Sequence, residues 1–481
     1  MTSSPQTRSA EIRRQIGHPV IDSDGHMIEF GPAVHDYVEE LGGKELRDRF
    51  VNSGLGGGLF PWYHLTPELR DKIRMIRPPW WPFPTRNTLD RATGTLPKLL
   101  HERLEEFGVD FTVLYPTVGL FPLVIDDTEL RQVVCRAFNK FHAELLAPYA
   151  DRMTPVAIIP MHTPEEAVAE LDYAIGELGM KGVMLAGYVR RTIPIIKEKA
   201  PAAQSLAVWL DTFTIDSPYD YDPVWAKCEE LKVAPTFHSG GMGWGSRMSP
   251  SSYVFNHIGN FAAAGEAICR SLLLGGVPKR FPNLKFAFLE GGVGWGCTLY
   301  SDSISHWKKR NRDHLQNYNP ANLDRELWKN LFAKYGEEKY GDRLPLIDEG
   351  FLGATPEPED MLDEFAASGL ESPEEIRDIF THNFYFGCEA DDPVNAWAFN
   401  KKINPYDSEL NVLFSSDIGH WDVPDMREVT EEAYELVEKG LIDERQFRDF
   451  VFRNPVNFWA GQNPDFFKGT SVEKAVKAEK I

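Results

Sequence analysis

Eight short runs of apolar residues recur along the chain, and most of them are followed by a segment with helical periodicity. Strands that alternate with helices predict right-handed crossovers and a parallel sheet, and a count of eight favours closure into a barrel. An open doubly wound sheet is the alternative, but no G-x-G-x-x-G follows a predicted strand. The predicted strands are residues 20–24, 111–116, 153–160, 182–186, 234–240, 284–292, 384–388 and 411–417.

Two long stretches interrupt this alternation. Residues 44–90, after the first strand, mix glycine-rich and proline-rich backbone, which suits an ordered excursion over a site. Residues 311–380, before the seventh strand, are irregular and charged. We therefore predict an α/β protein, a distorted TIM (β/α)8 barrel with these two insertions, over residues 18–461. A flexible N-terminal arm at 1–17 and a C-terminal tail at 462–481 flank it.

The net charge of the chain limits the classes of partner that it is expected to bind. It has 51 basic and 72 acidic residues, a formal net charge of −21, and no basic stripe. Such a surface repels phosphate backbones and anionic lipids, so neither nucleic acid nor a membrane is expected as a partner. The scattered cysteines, the lack of a signal-peptide pattern and the absence of an apolar run of roughly 18 residues predict a cytoplasmic protein. A homodimer built on the insertions is compatible with the sequence.

Candidate metal ligands fall where the predicted strands end. Asp24 and His26 end the first strand, His238 the fifth, Glu290 the sixth and Asp417 the eighth. In a barrel of this kind the C-terminal strand ends converge on one face, where the chemistry takes place. Carboxylates and imidazoles on four converging strands therefore predict a metal site.

Four short motifs carry a resemblance to a known family: Asp24-x-His26, Phe237-His238, Glu290-Gly291-Gly292 and Ser416-Asp417-x-x-His420. Together they resemble the amidohydrolase-related metal-dependent hydrolase family. This is the branch of the amidohydrolase superfamily similar to aminocarboxymuconate semialdehyde decarboxylase. The resemblance implies that the metal ligands are Asp24, His26, His238 and Asp417. It also implies that Asp417 orients or deprotonates a metal-bound water.

The sequence departs from the decarboxylase pattern at two positions. Asp24 stands where many relatives have His, and Glu290 stands where the decarboxylases place a catalytic His. The added carboxylates favour a divalent transition metal, Zn, Mn or Fe. One ion is expected. The alternative is two ions bridged by Glu290, with Asp24, His26 and Asp417 on one ion and His238 and His257 on the other.

Three further residues receive candidate roles. His420 is expected to shuttle a proton beside the metal. His257 is either part of the site or a residue that packs or caps its own helix. Glu29 is expected to hold His26 or a loop rather than to bind the ion.

Three functions remain open at this point. The first is a metal-dependent hydrolase that cleaves an amide, ester, lactone or thioester of a small molecule, because the decarboxylase-type His is missing at Glu290. The second is a non-oxidative decarboxylase of an aromatic or unsaturated acid, with Asp417, His257 or His420 as the proton donor. The third is an inactive barrel that binds a ligand. The aromatic residues Trp80 and Trp81 favour a cyclic or bulky substrate, unless they only hold the insertion in place.

Overall fold

A parallel barrel of eight strands is the centre of the computed structural model, which describes residues 7–53, 61–78, 86–238, 246–347, 362–420 and 423–479. The strands are β1 (Ile21–Met27), β2 (Phe111–Pro116), β3 (Met153–Ile158), β4 (Gly182–Leu185), β5 (Val189–Thr192), β6 (Val208–Asp211), β7 (Pro235–Phe237), β8 (Phe286–Phe288), β9 (Phe384–Glu389) and β10 (Asn411–Ser415). The barrel strands follow the order β1-β2-β3-β4-β7-β8-β9-β10, and neighbours pair in parallel.

The barrel is nearly closed between β10 and β1. The backbone N–H of Asp417 donates to the carbonyl of Asp24 (3.0 Å), and the N–H of His26 donates to the carbonyl of Ile418 (2.8 Å). These bonds bring the end of the last strand beside the end of the first. The predicted barrel is confirmed, and with it the convergence of strand ends on one face.

Helices surround the barrel, and every residue of β1, β2, β4, β7 and β8 is buried, as expected for parallel strands covered on both faces. The α-helices are Arg8–Gln15, Gly31–Asn52, Pro67–Lys72, Thr88–Thr93, Pro97–Arg103, Thr128–Leu146, Pro164–Leu171, Pro194–Lys199, Asp222–Leu231, Tyr253–His257, Asn260–Leu274, Val277–Arg280, Gly294–Arg310, Arg325–Tyr335, Glu337–Gly341, Pro373–Asp378, Val429–Glu438, Glu444–Arg448, Asn454–Gln462 and Glu473–Ala478.

The ends of the chain are packed more closely than the sequence analysis predicts. Within the predicted flexible arm, Arg8–Gln15 form a helix, and Ser9 Oγ donates to the carbonyl of Arg427 (2.6 Å). In the predicted tail, Phe466 and Phe467 are buried. The apolar residues of both end segments are few and irregularly spaced, so the sequence pattern does not show that these segments pack against the barrel.

Helices also form within both predicted insertions, among them Pro67–Lys72 in the first and Arg325–Tyr335 in the second. A further difference lies in the connection after β4. There the structure forms an antiparallel hairpin, in which β5 pairs with β6 apart from the barrel. Among the described residues, no helix has the length and apolar character needed to cross a membrane.

Candidate metal centre

A bulge in β1 aims both Asp24 and His26 at the mouth of the barrel. The pairing of β1 with β2 slips between Asp22 and Gly25, so the β1 residues after the slip are shifted by one relative to β2. Gly25 is required here, because a Cβ would lie 2.6 Å from Asp22 Oδ2 and from Thr112 Oγ1. A bulge of this kind re-aims side chains beside functional sites.

The three other predicted strand-end ligands follow β7, β8 and β10. His238 comes directly after β7. Its backbone N–H continues the pairing of β7 with β4 by donating to the carbonyl oxygen of Leu185 (3.0 Å). Glu290 and Asp417 both have positive φ, at 56° and 52°. Non-glycine residues in this region are uncommon, and such strain clusters at functional sites. The backbone therefore turns sharply at both carboxylates.

His26 lies at the centre of the cluster that these residues form. Its Nε2 is 3.4 Å from Asp24 Oδ1, 3.3 Å from Asp417 Oδ1 and 3.3 Å from His238 Nε2. Glu290 Oε2 in turn lies 2.9 Å from His238 Nε2. The structure thus brings together all five residues predicted as metal ligands.

The donors of this cluster fit a divalent transition metal. Two groups each place their ligand atoms within 4.8 Å of one another: Asp24, His26 and His238, and His26, Glu290, Asp417 and His420. All these residues are buried. No hydrogen bond from the described residues reaches Asp24 Oδ1, although this carboxylate oxygen is buried. A buried carboxylate without a donor costs free energy unless a cation balances it, and carboxylate and imidazole donors suit Zn, Mn or Fe.

The pKa shifts of the cluster residues also fit a metal site. Burial, together with the charges of Glu290 and Asp22, raises the pKa of Asp24 well above its ordinary value. Burial also holds the pKa of His26 well below its ordinary value, so that its imidazole is neutral and able to bind metal. For Glu290, burial alone raises the pKa, but the nearby imidazoles of His238 and His257 outweigh it and hold this pKa below normal.

His420 and His257 lie on two sides of the cluster. His420 stacks on His26 with ring centroids 3.7 Å apart, and its Nδ1 is 2.7 Å from Asp417 Oδ1. Its other ring nitrogen, Nε2, lies 3.2 Å from Thr117 Oγ1. His257 Nε2 is 3.8 Å from Glu290 Oε1, and His257 belongs to neither group of candidate ligands.

Glu29 lies against a loop rather than against His26. Its carboxylate accepts hydrogen bonds from the backbone N–H groups of Val118 (2.8 Å) and Gly119 (3.2 Å). His142 Nε2 is 3.2 Å from the same carboxylate. This loop follows β2 and contains Thr117, so Glu29 fixes the residue that contacts His420.

Asp22, which was not predicted as a site residue, lies beneath the cluster. Asp22 is fully buried and accepts hydrogen bonds from Ser416 N–H (2.9 Å), Ser416 Oγ (2.7 Å), Thr112 Oγ1 (2.7 Å) and Asp24 N–H (3.2 Å). Its position two residues before Asp24 in an apolar strand was the available signal. The predicted aromatic residues Trp80 and Trp81 lie outside the described residues.

Comparison with known proteins identifies the family. The family model described as Amidohydrolase matches residues 105–339. A 2-amino-3-carboxymuconate-6-semialdehyde decarboxylase of Dictyostelium discoideum is 27% identical over 184 residues, 38% of this chain and 44% of that protein. The gamma-resorcylate decarboxylase of Polaromonas sp. (strain JS666 / ATCC BAA-500) is 27% identical over 120 residues, 25% of this chain and 36% of that protein. Together these matches place the chain in the amidohydrolase superfamily.

The two curated relatives confirm the predicted branch of this superfamily, although the chain matches less than half the length of each. Solved structures agree on the fold of this amidohydrolase. An amidohydrolase from Mycobacterium avium subsp. paratuberculosis K-10 has a TM-score of 0.52 at 15% identity and covers 92% of this chain and 98% of its own. A 2,6-dihydroxybenzoate decarboxylase from Rhizobium has a TM-score of 0.50 at 14% identity, and the match covers 92% of this chain and 98% of that one.

These relatives overturn the main functional prediction. Hydrolysis was predicted because Glu290 replaces a catalytic histidine, and it is wrong, because both curated relatives are decarboxylases. The structure supplies the physical reason. Glu290 contacts His238 and His257, and His420 lies beside Asp417, so the site of this amidohydrolase retains imidazoles near the cluster without a histidine at position 290.

Proposed function

We propose that this amidohydrolase catalyses the non-oxidative decarboxylation of an aromatic or unsaturated carboxylic acid, with a divalent transition metal held by Asp24, His26, His238 and Asp417. The observation that carries the proposal is the contact of His26 Nε2 with Asp24, Asp417 and His238 within 3.4 Å. The family of the two curated relatives supports the reaction type.

Asp24, His26, His238 and Asp417 would hold the metal, which when bound would supply Lewis-acid chemistry that withdraws electrons from the substrate carboxylate. The chain's own residues orient this centre. His238 is fixed by its contact with Glu290, and Asp24 is fixed by the bulge at Gly25. Burial of the cluster excludes water, which strengthens each electrostatic interaction within it.

The proton that replaces the carboxylate comes from Asp417 in this proposal. Asp417 donates it to the substrate carbon, the electron pair of the breaking carbon–carboxylate bond returns to the ring, and CO2 leaves. His420 Nδ1, 2.7 Å from Asp417 Oδ1, then returns a proton from solvent to the carboxylate. Thr117 and Glu29 keep the imidazole of His420 in this orientation.

The reaction is tested with a panel of candidate acids that includes 2,6-dihydroxybenzoate. The manganese-loaded and zinc-loaded proteins are each assayed for CO2 release. In D2O, decarboxylation places one deuterium on the product carbon that carried the carboxylate, which NMR detects. Release of a hydrolysis product from ester or lactone probes, without CO2 from any acid of the panel, would contradict the proposal.

The proton donor is tested with two variants and a matched control. Asp417→Asn and His420→Asn are expected to lower kcat by about a hundredfold or more, since each removes a proton-transfer group. His382→Asn is the control, because His382 is an exposed histidine that contacts only its own segment. Activity of Asp417→Asn close to that of the unmodified protein would remove Asp417 from the mechanism.

The number of ions is tested by metal analysis. All of the candidate ligands except His257 converge on His26, which favours one ion per chain. Two ions per chain, falling to one in Glu290→Ala, would instead support the bridged arrangement.

A further inference from the structure

A buried carboxylate and imidazole lie behind the loop that follows β2. The side chains of Glu29 and His142 are 0% and 1% exposed, and Glu29 Oε1 lies 3.2 Å from His142 Nε2. Because a carboxylate only accepts hydrogen bonds, His142 is the donor. His142 belongs to neither group of candidate metal ligands. Burying such a pair costs free energy, so its contacts with the loop show what it stabilises.

The carboxylate of Glu29 holds three successive residues of this loop. It accepts from three backbone N–H groups, those of Thr117 (3.3 Å), Val118 (2.8 Å) and Gly119 (3.2 Å). Glycine permits this close approach, because a Cβ on Gly119 would lie 3.1 Å from Glu29 Oε1 and 2.7 Å from Ile158 Cδ1. The position of the loop therefore depends on the position of one carboxylate.

His142 fixes that carboxylate from a separate element. It lies in the helix Thr128–Leu146, and its ring packs against those of Phe138 and Phe141, with centroids 5.9 and 5.5 Å apart. Both phenylalanines are buried, so the imidazole has little room to turn. Its Nε2 thus holds Glu29 against the loop.

Thr117 connects the loop to His420. His420 Nδ1 is 2.7 Å from Asp417 Oδ1, and since the carboxylate of Asp417 only accepts, this nitrogen carries a proton. In a neutral imidazole the other nitrogen is then an acceptor, so the hydroxyl of Thr117 donates to His420 Nε2 across 3.2 Å. Thr117 thereby selects the tautomer whose Nδ1–H faces Asp417.

We propose that His142 is a positioning residue for His420, because through Glu29 it holds Thr117 where its hydroxyl meets His420 Nε2. The expected effect on rate rests on the proposed decarboxylation, in which His420 returns the proton to Asp417. The expected effect on the tautomer of His420 does not depend on the reaction. His142 thus acts on the site without touching the substrate or the ion.

The effect on rate is tested by removing and restoring the donor. His142→Leu is expected to lower kcat for CO2 release by about tenfold or more and to change KM by about twofold or less, since it disturbs a proton-transfer group and no binding contact. His142→Gln, whose amide N–H can replace Nε2–H, is expected to recover kcat to within about threefold of the unmodified protein. Val134→Ala is the control. Val134 is buried in the same helix, so this variant loosens packing and should leave kcat unchanged.

A double variant distinguishes positioning from a general loss of stability. Thr117→Val removes the hydroxyl and keeps the shape of the side chain. Since His142→Leu and Thr117→Val act on one hydrogen bond, kcat of the double variant is expected to lie within about twofold of that of Thr117→Val alone. Losses of kcat that multiply would overturn the inference.

The tautomer of His420 is read without any turnover. NMR of the zinc-loaded protein with isotope-labelled histidine nitrogens shows which ring nitrogen carries the proton, and His420→Asn assigns the signal. We expect the proton on Nδ1 in the unmodified protein and a loss of this preference in both His142→Leu and Thr117→Val. If His142→Leu does not fold, His142→Asn, whose amide is too short to replace Nε2–H, takes its place in all measurements.

The outcomes separate this inference from the proposed function. Losses of kcat that multiply overturn the inference and leave decarboxylation standing. A proton on Nε2 in the unmodified protein, or an unchanged tautomer without the His142 donor, overturns the inference whatever the activity. A tautomer that changes in both variants, without CO2 release from any acid of the panel, overturns decarboxylation while the positioning role of His142 stands.

Discussion

Replacing Asp22 tests whether a single buried carboxylate holds the two strand ends of the metal cluster together. In Asp22→Ala, the backbone N–H groups of Asp24 and Ser416 lose their acceptor inside the barrel. A buried unsatisfied N–H costs about 1–3 kcal/mol, so the two together predict a loss of about 4 kcal/mol in the free energy of unfolding. The hydroxyls of Thr112 and Ser416 can turn to other acceptors and are not counted.

Asp22→Asn separates hydrogen bonding from charge. Its amide oxygen still accepts from both backbone N–H groups, and burial already raises the pKa of Asp22, so removing the charge also removes a desolvation penalty. We expect a loss of about 1 kcal/mol or less. Urea unfolding of the metal-free proteins measures both variants, with the exposed Asp302→Ala as control. A loss below about 1 kcal/mol in Asp22→Ala would refute the reasoning.

Three further predictions concern the turn beside His420, a buried acid and the ion. Gly419→Ala is expected to lower the free energy of unfolding by at least about 3 kcal/mol, because Gly419 has φ of +99° and a Cβ would lie 2.6 Å from the carbonyl oxygen of His26. Gly440→Ala is the control, since Gly440 also has positive φ but a Cβ there would meet no atom within 4 Å. It should lower the free energy of unfolding by about 1 kcal/mol in the same assay. Burial raises the pKa of Glu170 from 4.5 to about 7, so the folded state binds more protons than the unfolded state between these values. The contribution of Glu170 to the free energy of unfolding should therefore fall by on the order of 3 kcal/mol as pH rises through this window, and Glu170→Gln should remove this contribution and leave that of Glu432, whose pKa is also raised to about 7. Removing metal with EDTA should lower Tm, and returning Mn or Zn at about a thousand times Kd should restore about 4 kcal/mol; an unchanged Tm would argue against an ion at the cluster.

Much of the fold follows from apolar runs that the barrel buries completely. The segments around β2 and β8 are continuous apolar sequences because helices and the barrel interior cover both of their faces, and such runs are visible without a structure. The hairpin of β5 and β6 is different. Its strands are half-exposed and rich in charged residues, so their pattern resembles that of a loop. The packing of Arg8–Gln15 depends on contacts with residues about 420 positions away, which local periodicity does not encode.

The candidate site was predictable where its residues end apolar strands, as Asp24, His26, His238, Glu290 and Asp417 do. Three of its features were not. The bulge at Gly25 arises from the pairing of β1 with β2, and the positive φ of Glu290 has no signal in its residue type, since glutamate is not favoured in that conformation. The role of Asp22 was hidden because its partner Ser416 is 394 positions away.

The carboxylates that first suggested hydrolysis favour decarboxylation once their geometry is known. Asp24, Glu290 and Asp417 carry one more negative charge than a divalent ion can balance, and the histidines beside them are closely packed and buried. The carboxylate of a bound substrate adds a further negative charge. A buried site with excess negative charge favours the uptake of a proton. In the proposed decarboxylation a proton held at the cluster is consumed at carbon. His420 Nδ1, 2.7 Å from Asp417 Oδ1, lies where it can replace that proton after each turnover.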